Sequence, residues 1–172
     1  DNTSTCTATV NVEPSELDVL LDDVSGDQGQ VVTIPITVND FIEITSLQFT
    51  TEILDVSVGR FIDATINNLD GADINIINDG TVSFQFNAPG SIPVSRTNGS
   101  TIAFLDIELT GTTGEMSDVI FTDSELSREW SSDCDNNPDA NMGFNETNGS
   151  ITVDMSPDMF TMGGTVRNHH DM

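Results

Sequence analysis

Residues 31–38 read VVTIPITV. From Val32 onward the side chains alternate, with Val32, Ile34, Ile36 and Val38 on one side and Thr33, Pro35 and Thr37 between them. That period of two is the signature of a strand with one buried face, and β-branched residues suit the pleat. Pro35 has no ladder N–H, which predicts an edge position or a place where no donor is needed.

The same alternation recurs on both sides of this stretch. Downstream come Leu47 and Phe49, then Leu54, Val56 and Val58, then Val82, Phe84 and Phe86. Ala103, Leu105, Ile107 and Leu109 form another set, with Ile102 and Phe104 predicted on the opposite face. Val119 with Phe121 and Ile151 with Val153 close the series, while Ala8, Val10 and Val12 and the Leu17 to Leu21 run lie upstream. Turn signals punctuate the strands: SGDQG at 25–29, Asn-Asp-Gly at 78–80, Asn-Gly at 98–99 and again at 148–149. The second of these predicts a tight hairpin, and residues 39–44 are expected to hold a short turn. Short strands at this spacing, without long helical stretches, indicate an all-β antiparallel sandwich. Ile34, Ile36, Phe49, Val56, Phe84, Leu105, Ile107 and Ile151 are the expected core. Residues 60–73 show no clean period, and residues 122–148 form a long polar stretch.

The charge is extreme: 29 acidic residues against four arginines, for a net −25 in 172 residues, with no lysine and no tyrosine. Such a chain repels phosphates, which excludes nucleic-acid binding and anionic membranes. Apolar runs of only a few residues exclude membrane insertion by a helix. Asp1 opens in polar sequence without a basic and then apolar leader, so the chain is expected to be a mature fragment or an internal slice.

Catalytic constellations are poor. The two histidines, His169 and His170, lie at the far C-terminal end, so the strand-rich region has no histidine for a Ser-His-Asp triad, and G-x-S-x-G is absent. Paired carboxylates occur by chance among so many acids, and the chain is not expected to be an enzyme. Calcium is a better match. Asp133, Asp135, Asn137, Asp139 and Asn141 alternate as D-x-D-x-N-x-D-x-N, a supply of hard oxygen ligands on a loop. Pro138 stands where the turn glycine of an EF-hand belongs, and Phe144 where its bidentate acid belongs, so this is no EF-hand; a solvated Asx turn remains the alternative. Asp63, Asn67, Asp70 and Asp73 form a weaker candidate loop. Cys6 and Cys134 suit an oxidising, extracellular compartment; they pair with each other, or Cys6 pairs outside the chain. Trp130 is expected to be buried or to pack on a disulfide. Asn2, Asn98, Asn145 and Asn148 are N-x-S/T sequons and candidate glycosylation sites.

The order of segments resembles the cohesin family. Residues 17–38 (LDVLLDDVSGDQGQVVTIPITV) resemble its opening, a strand, a Gly-containing turn and a V-x-I-P-V-x-V strand. Residues 45–58 (TSLQFTTEILDVSV) resemble the next pair, residues 80–109 the later F-x-F and I-A-x-L-x-I-x-L strands, and NGSITV at 148–153 the closing strand. The resemblance covers 17–153 and implies a jelly-roll sandwich of about nine strands, related to carbohydrate-binding modules. The family's D-P-x-x-L stretch is replaced here by Thr50-Thr51-Glu52-Ile53-Leu54, a departure in the region that helps face dockerin. Many cohesin-like domains outside cellulosomes belong to large surface proteins, and the chain is more similar to those.

Three parts are therefore expected: residues 1–12 as an N-terminal strand resembling the tail of an Ig-like module, residues 13–153 as the cohesin-like sandwich, and residues 154–172 as a linker and the start of another β module. The expected role is a secreted or cell-surface structural and adhesive module, joined head to tail with other copies or modules of the same protein by strand addition. The alternative is a recognition module for a dockerin-like protein or a glycan.

Overall fold

The computed structural model describes residues 16–132 and 144–154. The strands are β1 (Asp18–Leu21), β2 (Val24–Gly26), β3 (Val31–Asn39), β4 (Ile44–Ile53), β5 (Gly59–Ile66), β6 (Ala72–Asn78), β7 (Thr81–Asn87), β8 (Ser100–Leu109), β9 (Met116–Thr122), β10 (Glu129–Ser132), β11 (Asn145–Thr147) and β12 (Gly149–Val153). A single 3-10 turn at Pro89–Ser91 is the helical piece among the described residues. None of them forms a helix long and apolar enough to cross a membrane.

One sheet runs β11-β1-β3-β8-β5 and the other β2-β12-β9-β4-β7-β6. Two strands change sheets partway. The chain passes from β1 to β2 at Asp22 and Asp23, and from β11 to β12 at Asn148. The two crossings run side by side, because β1 is parallel to β11 and β2 is parallel to β12. β9 and β10 are likewise one strand in two pieces, pairing with successive stretches of the same edge of β4. Counted without these interruptions, the strands among the described residues number nine, and the all-β sandwich of the sequence reading is the fold observed.

Alternation buries the inner faces. Ile34, Ile36, Phe84, Leu105, Ile107 and Ile151 are fully enclosed and Phe49 nearly so. Each such side chain removed from water contributes about 1.5–3 kcal/mol before entropy is charged against it. Phe49 stacks on Phe84 at 4.7 Å, and Phe121 and Phe144 meet it edge-on at 5.3 and 5.8 Å. Offset and edge-on rings suit the aromatic quadrupole. Trp130 is 4% exposed and faces Leu47 in the ladder, so it belongs to this core.

Three expectations need correction. Residues 54–58 alternate but form a turn: the Asp55 carboxylate accepts from the Ser57 N–H (2.9 Å) and hydroxyl (2.6 Å), and the Val58 N–H donates to the Asp55 carbonyl. This Asx turn competes with extension, and it leaves Val56 54% exposed rather than in the core. Residues 60–66, which lack a period, belong to a strand. Pairing skips from Phe61↔Ile107 to Asp63↔Asp106, so Ile62 is an extra residue and the bulge shifts the alternation by one. A bulge also moves Ile102, predicted to face outward, into the core beside Ala103, as pairing skips from Ala103↔Ile36 to Thr101↔Thr37. For Pro35 the second of the two expected settings is observed: its strand has neighbours on both sides, but Pro35 sits where no donor is needed. Pairing with β1 begins only at Ile36, so at Pro35 itself β8 is the sole ladder partner and a missing donor is tolerated.

Candidate protein-binding face

The outer surface of the β9/β10–β4–β7–β6 sheet is built from the alternate positions whose partners fill the core. Its residues align in rows across the strands: Ser131–Ser46–Asn87, Glu129–Gln48–Gln85–Asp73, Thr122–Thr50–Ser83–Asn75, and Ile120–Glu52–Thr81–Asn78. The rows are almost wholly polar, rich in hydroxyls and amides, with carboxylates and no cation among them. Such a surface offers donors and acceptors at regular strand spacing, the equipment for polar recognition of another protein.

One half of this face is partly covered. Residues 123–128 leave the plane between β9 and β10 and fold over β4. The Leu126 N–H donates to Thr50 Oγ1 (2.9 Å), Gln48 Nε2 donates to the Ser127 carbonyl (3.2 Å), and the Ser124 hydroxyl donates to Glu52. Thr50 is buried as a result. Arg128 holds this segment at its base. Its Nε and Nη2 reach the two oxygens of Asp123, each at 3.0 Å, and its Nη1 donates to Glu146 at β11. These bonds push the guanidinium pKa up and hold the Asp123 carboxyl below the usual carboxylate range. The other half, on β7 and β6, is open: Asp73, Asn75, Gln85 and Asn87 are exposed.

The candidate residues of the sequence reading are distributed as follows. The proposed calcium stretch (Asp133, Asp135, Asn137, Asp139, Asn141), Cys6, Cys134 and Asn2 lie outside the described residues, as do the segments 1–12 and 155–172. Asp63, Asn67, Asp70 and Asp73 do not converge. Asp63 pairs across to Asp106 on one sheet, Asp73 to Gln85 on the other, and Asn67 Nδ2 donates to the Thr101 carbonyl. Among the described residues no three His, Cys, Asp or Glu side chains are placed to hold a metal. Asn98 is exposed in its turn, its Oδ1 accepting from the Asp40 N–H (2.9 Å). Asn145 Nδ2 donates to Glu16 and Asp18, and Asn148 Oδ1 accepts from the Phe121 N–H. Because Trp130 is buried, it offers no platform on which a sugar could stack.

The polar outer face carries no sequence motif. Its signal is the polar half of each alternation, Gln48, Thr50 and Glu52 against Ser83, Gln85 and Asn87, which reads as ordinary solvent-facing filler until the register aligns the strands.

No family model matches the chain, and no curated protein matches it. Solved structures do. The seventh ScaB type I cohesin from Pseudobacteroides cellulosolvens superposes with a TM-score of 0.70 at 21% identity, over 91% of this chain and 99% of that one. A Coh-OlpC–Doc435 type I cohesin–dockerin complex from Clostridium thermocellum gives 0.66 at 17% identity, covering 86% and 99%. A non-cellulosomal cohesin from the hyperthermophilic archaeon Archaeoglobus fulgidus gives 0.63 at 11% identity, covering 84% and 95%. These superpositions show that the chain has the fold of the cohesins.

Proposed function

We propose that this chain is a non-enzymatic, extracellular recognition module that binds a protein partner of dockerin type on the outer face of its β9/β10–β4–β7–β6 sheet. The observation that carries the reading is the open, polar half of that face on a fold shared with cohesins, one of which is seen in complex with a dockerin. Backbone register holds Asp73, Asn75, Gln85 and Asn87 in place at no cost in loop entropy. Titration calorimetry against a dockerin panel and a glycan panel tests it. Binding to a dockerin that is lost in Gln85→Arg with Asn75→Arg, while the fold is kept, supports the reading. Unchanged affinity in that variant removes the face, and binding to glycans alone removes the protein partner.

A structural and adhesive role in a multimodular surface protein is the second reading. What favours it is the path of the chain. Asp18 pairs with Asn145 at one end of the sandwich, and Gly26 pairs with Val153 at the other. Residues 16 and 154 therefore lie at opposite ends, the arrangement needed to string modules in line, other copies or modules following head to tail by strand addition. Calcium held by Asp133, Asp135, Asn137, Asp139 and Asn141, and a tie from Cys6 to Cys134, belong to this proposal. A melting temperature unchanged between chelator and millimolar calcium removes the first, and free thiols in a peptide map of the secreted protein remove the second.

A further inference from the structure

The sandwich has a second distinctive surface, at the corner where the outer face just described ends. Among the described residues β5 and β6 are the free edges of opposite sheets; they run beside each other, yet they form no ladder with one another. A backbone bond ties β5 to the turn that follows β6, where the Phe61 N–H donates to the Asp79 carbonyl at 2.8 Å. Each edge is broken by a bulge near that bond. On β5 the extra residue is Ile62; on β6 pairing skips from Ile76↔Val82 to Asn78↔Thr81, and the extra residue is Ile77. Both isoleucines are half exposed, at 44% and 47%. Val56 joins them from the 54–58 turn. It lies against the hairpin tip, where a Cβ added at Gly80 would sit 2.5 Å from Val56 Cγ1. Ile76 extends the patch.

Bulges are a common way to blunt an edge, and polar or charged residues usually accompany them. Here both bulges present isoleucine instead, in a chain that is otherwise crowded with carboxylates. A cluster of this kind at one place marks a binding surface more than scattered apolar residues do. Its surroundings are acidic. Asp55, Asp63 and Asp79 flank it, and the nearby cation, Arg60, is held by Glu108 at 2.6 Å. A second copy would bring another net −25 to the same place, which opposes self-association.

We propose that the β5–β6 seam, centred on Ile62 and Ile77, is a second docking surface and takes a cationic amphipathic segment of a partner protein. Its apolar side chains cover the two isoleucines and Val56, and its lysines or arginines meet the flanking aspartates.

The test uses isoleucine- and valine-methyl NMR with a synthetic peptide of leucine and lysine at helical spacing, and a control in which glutamate replaces lysine. Saturable shifts confined to Ile62, Ile76, Ile77 and Val56 are expected for the lysine peptide and none for the control. Affinity should fall at least about tenfold in Ile62→Thr with Ile77→Thr, and fall again as salt rises from about 50 to 500 mM. Equal affinity in the variant, shifts elsewhere on the molecule, or equal binding of the glutamate peptide would overturn the proposal. Concentration-dependent sedimentation that the double variant abolishes would also overturn it, by assigning the seam to a second copy. Dockerin titration of the same variant separates the two surfaces: loss at the seam leaves binding to the polar face intact.

Discussion

The two open sides of the sandwich are sealed by different means. On one side the chain itself crosses between sheets, at Asp22 and Asp23 and again at Asn148, and parallel ladders join the crossings. Leu17, Val19, Leu21, Ile151 and Val153 are buried there. On the other side two free edges approach without pairing, and two bulges turn isoleucines toward water. Sealing by backbone satisfies donors and buries apolar surface together. Sealing by irregularity prevents pairing but leaves apolar surface to be covered by something else.

The largest expected difference lies in the core of the sealed side. Ile151→Ala should cost about 2–5 kcal/mol, since a fully buried side chain leaves a cavity on a strand that closes the sheet. Denaturant unfolding reads this directly, and a loss below about 1 kcal/mol would show that the crossing is not a stabilising seal. Gly149→Ala comes next. A Cβ there would meet the Asp22 carbonyl at 2.4 Å, backbone against backbone where the two crossings touch. A cost of about 1–3 kcal/mol is expected from overpacking, with little change if the crossings can separate.

A smaller effect is expected at Arg128, which joins the 123–128 segment to β11. Arg128 lowers the Asp123 carboxyl pKa in the folded state. The resulting stabilisation is complete above the unfolded value of about 3.9 and disappears as pH falls through the lower folded value. Arg128→Gln should therefore lower the melting temperature at neutral pH, and the gap to the parent should close on acidification below about pH 4. A gap constant with pH would assign the loss to packing. The smallest effect is expected on the irregular side: Ile62→Thr with Ile77→Thr should change stability by no more than about 0.5 kcal/mol per site, as both are half exposed. A larger loss would show the seam to be part of the core.

Much of this architecture was legible in the sequence because alternation reports burial directly. β3, β7 and β8 were read from Ile34, Phe84 and Leu105 and their neighbours, and the hairpin between β6 and β7 from Asn78-Asp79-Gly80. What was not legible is what breaks the period. The bulge at Ile62 disguised β5 as irregular, and the bulge at Ile102 reversed one side chain's predicted direction. The opposite error occurred at Val56, where alternation persists through an Asx turn that Asp55 and Ser57 form locally. The crossings of β1 to β2 and β11 to β12 left no period to read, because the buried positions change phase from Leu17, Val19 and Leu21 to Gly26 at the first, and Asn145–Thr147 are exposed throughout at the second. The candidate face was legible only in part, since outward polar residues form a continuous surface only when register places Gln48, Gln85 and Asp73 in one row.

The parallel pairing of β1 with β11 and of β2 with β12 has a mechanical consequence. A pull applied through residues 16 and 154 drags the β1–β2 path toward one end of the sandwich and the β11–β12 path toward the other. The two paths lie alongside each other, so the load runs along the strands and across their shared hydrogen bonds. Those bonds must then yield together under shear, where a hairpin loaded at its open end would unzip one bond at a time. A module built in this way resists tension most strongly along the line on which neighbouring modules would pull it.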